Sequence, residues 1–126
     1  MHVILIEPDR IQAKLYKTSL EQAGCTVEHV TGAQAAVHAA DEQTPDIVVL
    51  EMQLTGHSGV EFLYEFRSYA EWLQIPVILH TFVPAHELAH GATLKESLGV
   101  KRILYKPTTS LVDLCEAVRT VALSRV

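Results

Sequence analysis

The sequence predicts an α/β fold, a single domain over residues 1–126 with helices on both faces of a doubly wound, five-stranded parallel sheet. Two patterns carry this prediction. Short apolar runs alternate five times with segments of helical periodicity. One of these runs, residues 47–50, is apolar at every position, which is typical of a strand buried on both faces of a parallel sheet.

The composition indicates an ordinary globular protein. Of 126 residues, 48% are hydrophobic and 20% charged, and the formal net charge is −5. An acidic chain is not expected to bind nucleic acid, and no apolar run reaches the length of a membrane span. The N-terminus has no signal-peptide pattern, and the two cysteines form no close-spaced motif, so a cytoplasmic location is expected.

The first half of the chain contains three of the predicted strands. They are residues 3–6, residues 26–30 and residues 47–50. A first helix is expected over residues 9–23, with Ile11, Leu15 and Leu20 near its buried face. A second is expected over residues 31–43, where Thr31 and Gln34 resemble a capping box.

The second half contains three helical segments and two strands. A third helix follows the loop after strand three and ends near Trp72. Strands four and five are expected at residues 76–79 and 102–105. Between them, residues 85–98 are helical in character, but Gly91 predicts a kink or two short helices. The last helix is expected over residues 110–123, with Asp113 in a capping box and an apolar stripe of Leu111, Leu114, Cys115, Val118 and Val121.

Polar side chains follow four of the five strands. They are Glu7 and Asp9 after the first strand, Glu51 after the third, Thr81 after the fourth and Lys106 after the fifth. Because functional groups in open α/β sheets collect at the carboxyl ends of the strands, we expect these side chains to meet at one edge.

This arrangement resembles the receiver domain of bacterial two-component response regulators, a flavodoxin-like (CheY-like) fold with strand order 2-1-3-4-5. In that family, acids after strand one hold Mg²⁺ and an aspartate after strand three is phosphorylated. The resemblance implies that Glu7 and Asp9 form the acid pocket and that Glu51 stands at the phosphoacceptor position. Thr81 and Lys106 would then line the phosphate pocket.

Two further features follow from the same resemblance. Ile103, three residues before the lysine, stands at the position of the family's aromatic switch residue. The bond between Lys106 and Pro107 is expected to be a cis peptide.

Four residues depart from the family pattern. Glu51 replaces the acceptor aspartate, Pro8 replaces the second acid, Phe82 replaces a small residue, and Ile103 replaces the aromatic. Phosphoryl transfer depends on positioning and on a metal that neutralises charge. A glutamate carboxylate lies one bond further out, and proline removes one Mg²⁺ ligand.

We therefore expect an atypical receiver, or pseudo-receiver: a non-enzymatic module that engages signalling proteins without phosphorylation. Its partners would be a histidine kinase or an output protein. No cofactor is expected; if Mg²⁺ binds, its candidate ligands are Glu7, Asp9 and Glu51. The longer Glu51 is expected to pair with Lys106, either as a built-in active-like switch or as an inert contact. The alternative function is a receiver that phosphorylates itself weakly.

One motif suggests another chemistry. Residues 86–90 read His-Glu-Leu-Ala-His, the zincin pattern in which two histidines one helical turn apart bind Zn²⁺. A short pattern of this kind also arises by chance, and Gly91 would end the helix directly after it. Exposed helix histidines are the competing interpretation of a zinc peptidase site.

The resemblance also points to an interaction surface. Most partner and dimer contacts of the family lie on the face built from helix four, strand five and helix five. We expect homodimerisation through this face here, with Val112, Arg119 and Leu123 on the outer side of the last helix. Helix one is the alternative surface.

Overall fold

A computed structural model describes residues 1–88 and 91–124, and its centre is a five-stranded parallel sheet. The strands are β1 (His2–Ile6), β2 (Thr26–Val30), β3 (Ile47–Leu50), β4 (Val77–Thr81) and β5 (Val100–Tyr105). Their order is β2-β1-β3-β4-β5. The predicted fold class and strand order are confirmed.

In the part of the chain that the structure describes, five α-helices surround the sheet. They are α1 (Arg10–Gln22), α2 (Ala33–Glu42), α3 (Gly59–Arg67), α4 (Gly91–Glu96) and α5 (Leu111–Leu123). Helices α1 and α5 pack on one face of the sheet, whereas α2, α3 and α4 pack on the other. None of the described helices is long and apolar enough to cross a membrane.

Three stacked aromatic side chains belong to the core on the α3 side of the sheet. Phe62 stacks on Phe66, and Phe66 stacks in turn on Trp72, with ring centroids 5.2 and 5.1 Å apart. Trp72 is buried at the end of a 3₁₀ turn, Ala70–Trp72, which follows α3. This stack fixes the loop that leads into β4.

Helix α1 buries a different face from the one predicted. Ile11 and Leu15 are 81% and 57% exposed, and the buried positions are Ala13, Tyr16 and Leu20. The prediction for Ile11 and Leu15 is therefore wrong. Small Ala13 lets the helix approach the sheet closely, and Tyr16 fills the space with an aromatic ring, so two weakly hydrophobic residue types set the phase of the helix.

Helix α2 begins without the predicted capping box. Its N-cap is Gly32, which makes no side-chain hydrogen bond, and Thr31 lies one residue too early to cap the helix. The alanines Ala36, Ala39 and Ala40 are buried against the sheet. Helix α2 is thus held by close packing rather than by a cap.

The segment before β5 is broken, as Gly91 predicts. A 3₁₀ turn covers Ala85–Glu87, and the chain becomes extended at Leu88 before α4 begins. His86 is exposed on that 3₁₀ turn, and His90 lies outside the described residues. The interruption at Leu88 removes the continuous helix that a zincin motif requires, so the zinc peptidase interpretation is not supported.

The last two elements differ from the predictions in three respects. Strand β5 begins two residues earlier than expected, at Val100. No cis peptide bond occurs among the described residues, so the prediction for Lys106 and Pro107 is wrong. Leu111 is exposed rather than part of the buried stripe. The capping box at the start of α5 is confirmed: Ser110 and Asp113 each accept a hydrogen bond from the other's backbone N–H.

Candidate functional site

Four polar side chains are buried together at the carboxyl ends of the strands. They are Glu7 after β1, Glu51 after β3, Thr81 at the end of β4 and Lys106 after β5. Parallel pairing in register brings these ends to one edge, since Ile6 lies beside Leu50 and Leu50 beside Leu79. We call these four residues the ionic cluster.

Lys106 is the centre of the ionic cluster. Its Nζ donates to Glu7 Oε1 at 2.6 Å and to Glu51 Oε1 at 2.8 Å. The predicted pair between Glu51 and Lys106 is therefore present, and Glu7 is a second partner that the sequence did not predict. Burial alone lowers the pKa of Lys106, but hydrogen bonds to Glu51 and Glu7 outweigh burial and raise the pKa above its usual value.

The Glu51 carboxylate accepts four hydrogen bonds. Lys106 Nζ and the Phe82 N–H, at 3.3 Å, donate to Oε1; the Thr81 hydroxyl and the Gln53 N–H, at 3.1 Å, donate to Oε2. Burial raises the pKa of Glu51, but the bonds from Lys106, Thr81 and Gln53 outweigh burial and hold the pKa below its usual value. Glu51 is therefore an ionised and fully satisfied carboxylate.

Thr81 and Phe82 close the cluster from the β4 side. The Thr81 hydroxyl donates to Glu51 and accepts from the Val83 N–H at 3.1 Å, so its rotamer is fixed from both sides. The Phe82 ring lies over Lys106 with the ring centroid 4.7 Å from Nζ, and half of the ring remains exposed. An aromatic face at this distance attracts the ammonium group and covers it.

Asp9 does not join the ionic cluster. Its exposed carboxylate accepts from the N–H groups of Ile11 and Gln12, each at 3.0 Å, and so caps helix α1. Only its backbone reaches the site, where the Asp9 N–H donates to Glu7 Oε2 at 3.1 Å. The structure thus places one member of the predicted acid pocket in the cluster and uses the other as a helix cap.

The residues present do not fit the Mg²⁺ site that the resemblance implies. Mg²⁺ requires near-octahedral oxygen ligands. Here the ammonium of Lys106 lies between the carboxylates of Glu7 and Glu51, and Asp9 faces its own helix. Within residues 1–88 and 91–124, no three His, Cys, Asp or Glu side chains are arranged to hold a metal ion.

Two aromatic side chains, Tyr16 and His80, pack against each other next to Lys106 of the ionic cluster. Tyr16 lies 5.9 Å from Lys106 Nζ, measured to the ring centroid, and packs against His80 on β4. Burial raises the pKa of Tyr16. Tyr16 is not identified as a site residue from the sequence, because a tyrosine between charged residues of a helix is usually expected to be exposed. The signal that it is buried is its helical spacing from Ala13 and Leu20.

Ile103 is partly buried and packs against the core on the α3 side of the sheet. It lies beside Leu79 in the pairing of β5 with β4. Unlike an aromatic residue that carries a hydroxyl group, an isoleucine cannot move a hydrogen-bonding group between a buried and an exposed position. Its correspondence to the switch position stays a prediction.

The comparisons with known proteins agree with this geometry. The probable transcriptional regulatory protein TcrX of Mycobacterium tuberculosis is 31% identical over 85 residues, which cover 68% of this chain and 36% of that protein. The polar-differentiation response regulator DivK of Brucella ovis is 28% identical over 79 residues, or 63% of this chain and 64% of DivK. The match thus spans about a third of TcrX and less than two thirds of DivK.

Solved structures show the same fold. The crystal structure of a sensor protein from Polaromonas sp. JS666 superposes with a TM-score of 0.86 at 18% identity, covering 99% of this chain and 98% of that one. The family model described as the response regulator receiver domain matches residues 3–119, which include four complete strands, β1 from Val3 onward and every member of the ionic cluster. The chain belongs to the response regulator receiver domain family.

Proposed function

We propose that this receiver domain is a non-enzymatic signalling module that works without phosphorylation. The observation that carries the proposal is the environment of Glu51, whose two oxygens accept four hydrogen bonds. A carboxylate that attacks a phosphodonor must present a free oxygen lone pair in line with the leaving group. Each Glu51 oxygen already has two donors, so none is presented in this way.

The electrostatics support the same proposal. Phosphoryl transfer needs positive charge to neutralise the incoming group. In the ionic cluster, Glu7 and Glu51 already neutralise the one cation, Lys106, and the three side chains together carry a formal charge of −1. An incoming phosphodonor would therefore meet a site with no unpaired positive charge.

We further propose that Glu51 stands in for a phosphoryl group. The resemblance assigns phosphoryl binding to the hydroxyl after strand four and the lysine after strand five, and here both Thr81 and Lys106 donate to Glu51. The extra methylene of glutamate gives the carboxylate this reach. On this proposal the domain is held in an active-like arrangement, and the inert alternative predicts that partner binding is insensitive to Glu51.

Receiver domains interact with histidine kinases and output domains in two-component systems, and we propose partners of this kind here. The matched part of TcrX is about a third of that protein, which its name describes as a transcriptional regulator. We propose that the chain acts in a bacterial cytoplasm, as its resemblance implies, and that it contacts proteins rather than DNA.

The exposed apolar side chains favour a partner surface on α1 and α5. Ile11, Leu15 and Leu111 line one shallow groove, and Arg10 and Lys14 lie beside them. Val112 and Arg119, which the sequence suggested for the outer side of the last helix, line a neighbouring cavity with residues of α1. We therefore propose the α1–α5 groove as the main contact surface, with homodimerisation through α4, β5 and α5 as the competing arrangement.

The experiment for phosphorylation is intact mass spectrometry after incubation with acetyl phosphate and millimolar Mg²⁺. The unmodified chain is expected to gain no phosphate. The matched control carries Pro8→Asp and Glu51→Asp together, which restores both missing aspartates, whereas Glu51→Asp alone is expected to gain little because Pro8 still removes a ligand. Stoichiometric phosphate on the unmodified chain would establish the alternative, a self-phosphorylating receiver.

The experiment for the surface compares a change that introduces a charge with a paired change that reverses two charges. Ile11→Glu places a charge in the α1–α5 groove, and the paired change Lys101→Glu with Arg102→Glu alters the exposed edge of β5. Light scattering reports the oligomeric state, and titration with purified histidine-kinase dimerisation domains reports partner binding. Loss of binding only for Ile11→Glu supports the groove; loss of a dimer only for the β5 pair supports the competing face.

A further inference from the structure

Both cysteines of the chain line one cavity between α1 and α5. The cavity has a volume of about 540 Å³, and its wall includes Cys25, Cys115, Ser19 and Arg119. It also contains Met1, so it lies toward the amino ends of the strands, away from the ionic cluster. Nothing in the proposed signalling function uses these thiols.

The positions of the two thiols come from separate elements. Cys25 precedes β2 and follows Gly24, whose φ of +100° turns the chain out of α1. Cys115 lies in the second turn of α5, where its Sγ is 3.5 Å from the Ser19 hydroxyl on α1. Each cysteine is partly buried and packs against the apolar core on the α1–α5 side of the sheet, and the two side chains meet at the wall of the same cavity.

The surroundings of Cys25 act on its thiol. Burial raises the pKa of Cys25, the positive charge of the N-terminus lowers it, and Cys115 raises it to a smaller extent. Both thiols are free and open to solvent through the cavity.

We propose that Cys25 and Cys115 are a redox-responsive dithiol, and that a low-molecular-weight disulfide such as oxidised glutathione converts them into an intramolecular disulfide. The bond would join the turn before β2 to helix α5. It goes beyond the signalling function and does not depend on the state of Glu51.

The reaction proceeds in two exchanges. The Cys115 thiolate attacks one sulfur of oxidised glutathione, forms a mixed disulfide and releases one glutathione thiolate, which takes up a proton. The Cys25 thiolate then attacks the Cys115 sulfur of that mixed disulfide, forms the Cys25–Cys115 bond and releases the second glutathione. Two protein thiols are oxidised, and one small disulfide is reduced to two thiols.

The order follows from the surroundings of each thiol. The raised pKa of Cys25 leaves little thiolate to start the exchange. Cys115 has the Ser19 hydroxyl beside its sulfur and Arg119 one helical turn further along α5, and both line the same cavity. Because burial holds back the Cys25 thiol, we assign Cys115 as the attacking residue and Cys25 as the resolving one.

The test is incubation of the reduced chain with oxidised glutathione, followed by intact mass measurement and non-reducing peptide mapping. The unmodified chain is expected to lose two hydrogens and to yield a peptide that joins Cys25 to Cys115, and tris(2-carboxyethyl)phosphine should reverse both changes. Retention of two free thiols, a stable mixed disulfide in the unmodified chain, or a disulfide only between two molecules would each overturn the proposal.

Two variants test the order of the steps. Cys25→Ser should accumulate a mixed disulfide at Cys115, because the resolving thiol is gone. Cys115→Ser should react at least several-fold more slowly, because only the thiol with the raised pKa remains. Equal rates for the two variants would contradict the assigned roles. Phosphate uptake by the unmodified chain would affect only the proposed function, so the two proposals fail independently.

Discussion

Tyr16 packs edge-on against His80, with ring centroids 4.7 Å apart and an angle of 83° between the ring planes. His80 is buried, and its Nδ1 has no hydrogen-bond partner among the described residues. Burial, and to a smaller extent the positive charge of Lys106, lower the pKa of His80 from 6.5 to about 4, against a smaller opposing effect of Glu51. The core around the ionic cluster therefore holds a neutral imidazole.

This neutral imidazole predicts a loss of stability in mild acid. A histidine with a depressed pKa binds its proton more readily in the unfolded state, so its contribution is present above pH 6.5 and is lost as the pH falls toward 4. The full loss is about 3 kcal/mol in the free energy of unfolding. Urea unfolding at a series of pH values measures it, and His80→Phe should remove most of the slope. The same slope in His80→Phe would assign it to other groups.

Substitutions of Lys106 and of Glu51 in the ionic cluster are expected to lower the free energy of unfolding by unequal amounts. Lys106→Met leaves the buried Glu7 and Glu51 without a cation and is expected to cost about 3–5 kcal/mol. Glu51→Gln leaves Lys106 paired with Glu7 and should cost about 1–2 kcal/mol. Chemical denaturation at pH 7 measures both. Equal costs would show that Glu7 does not share the charge of Lys106.

The Lys106→Met variant should also respond to pH in the opposite sense to the unmodified chain. Two adjacent buried carboxylates without a cation have raised pKa values, so the folded state binds protons more readily than the unfolded state. In a His80→Phe background, which removes the opposing slope of the histidine, the stability of Lys106→Met should therefore rise as the pH falls from 7 to 5. The matched Lys101→Met change, at an exposed position of β5, should show no such rise.

Arg67 predicts a large effect far from the cluster. Its guanidinium donates to the carbonyl oxygens of Leu98, Gly99, Trp72 and Leu73, and so ties the end of α3 to the loops that lead into β4 and β5. Arg67→Ala leaves partly buried carbonyl groups without donors and should cost about 3 kcal/mol. Thermal unfolding checks this, with exposed Arg102→Ala as the control expected to change little.

Two substitutions of Asp9 test whether its side chain caps helix α1 or binds a metal ion. Asp9→Asn keeps an oxygen that accepts from the first-turn N–H groups, so the free energy of unfolding should hardly change, whereas Asp9→Ala should cost about 1 kcal/mol. Denaturation in the presence and absence of millimolar Mg²⁺ measures both. If Mg²⁺ stabilises the unmodified chain and Asp9→Asn abolishes that stabilisation, Asp9 is a metal ligand and the capping interpretation is wrong.

Most of the sheet and part of the site follow from sequence patterns. The apolar runs predict all five strands, and the rule that their carboxyl ends meet predicts the pair between Glu51 and Lys106. The buried face of α1 does not follow, because Ala13 and Tyr16 are weak hydrophobic signals beside Ile11 and Leu15. The capping role of Asp9 also depends on where the helix starts within one residue, which periodicity does not define.

Trp72, the single tryptophan, is buried in the stack with Phe66 and lies on the side of the sheet away from Tyr16. The fluorescence of Trp72 therefore reports on the core on the α3 side of the sheet and not on the core on the α1 side. Substitutions in the α1–α5 groove or the dithiol cavity can be followed by a signal that those substitutions do not touch. A change in emission after oxidation of the cysteines would then report motion transmitted through the sheet, because no thiol lies near the indole.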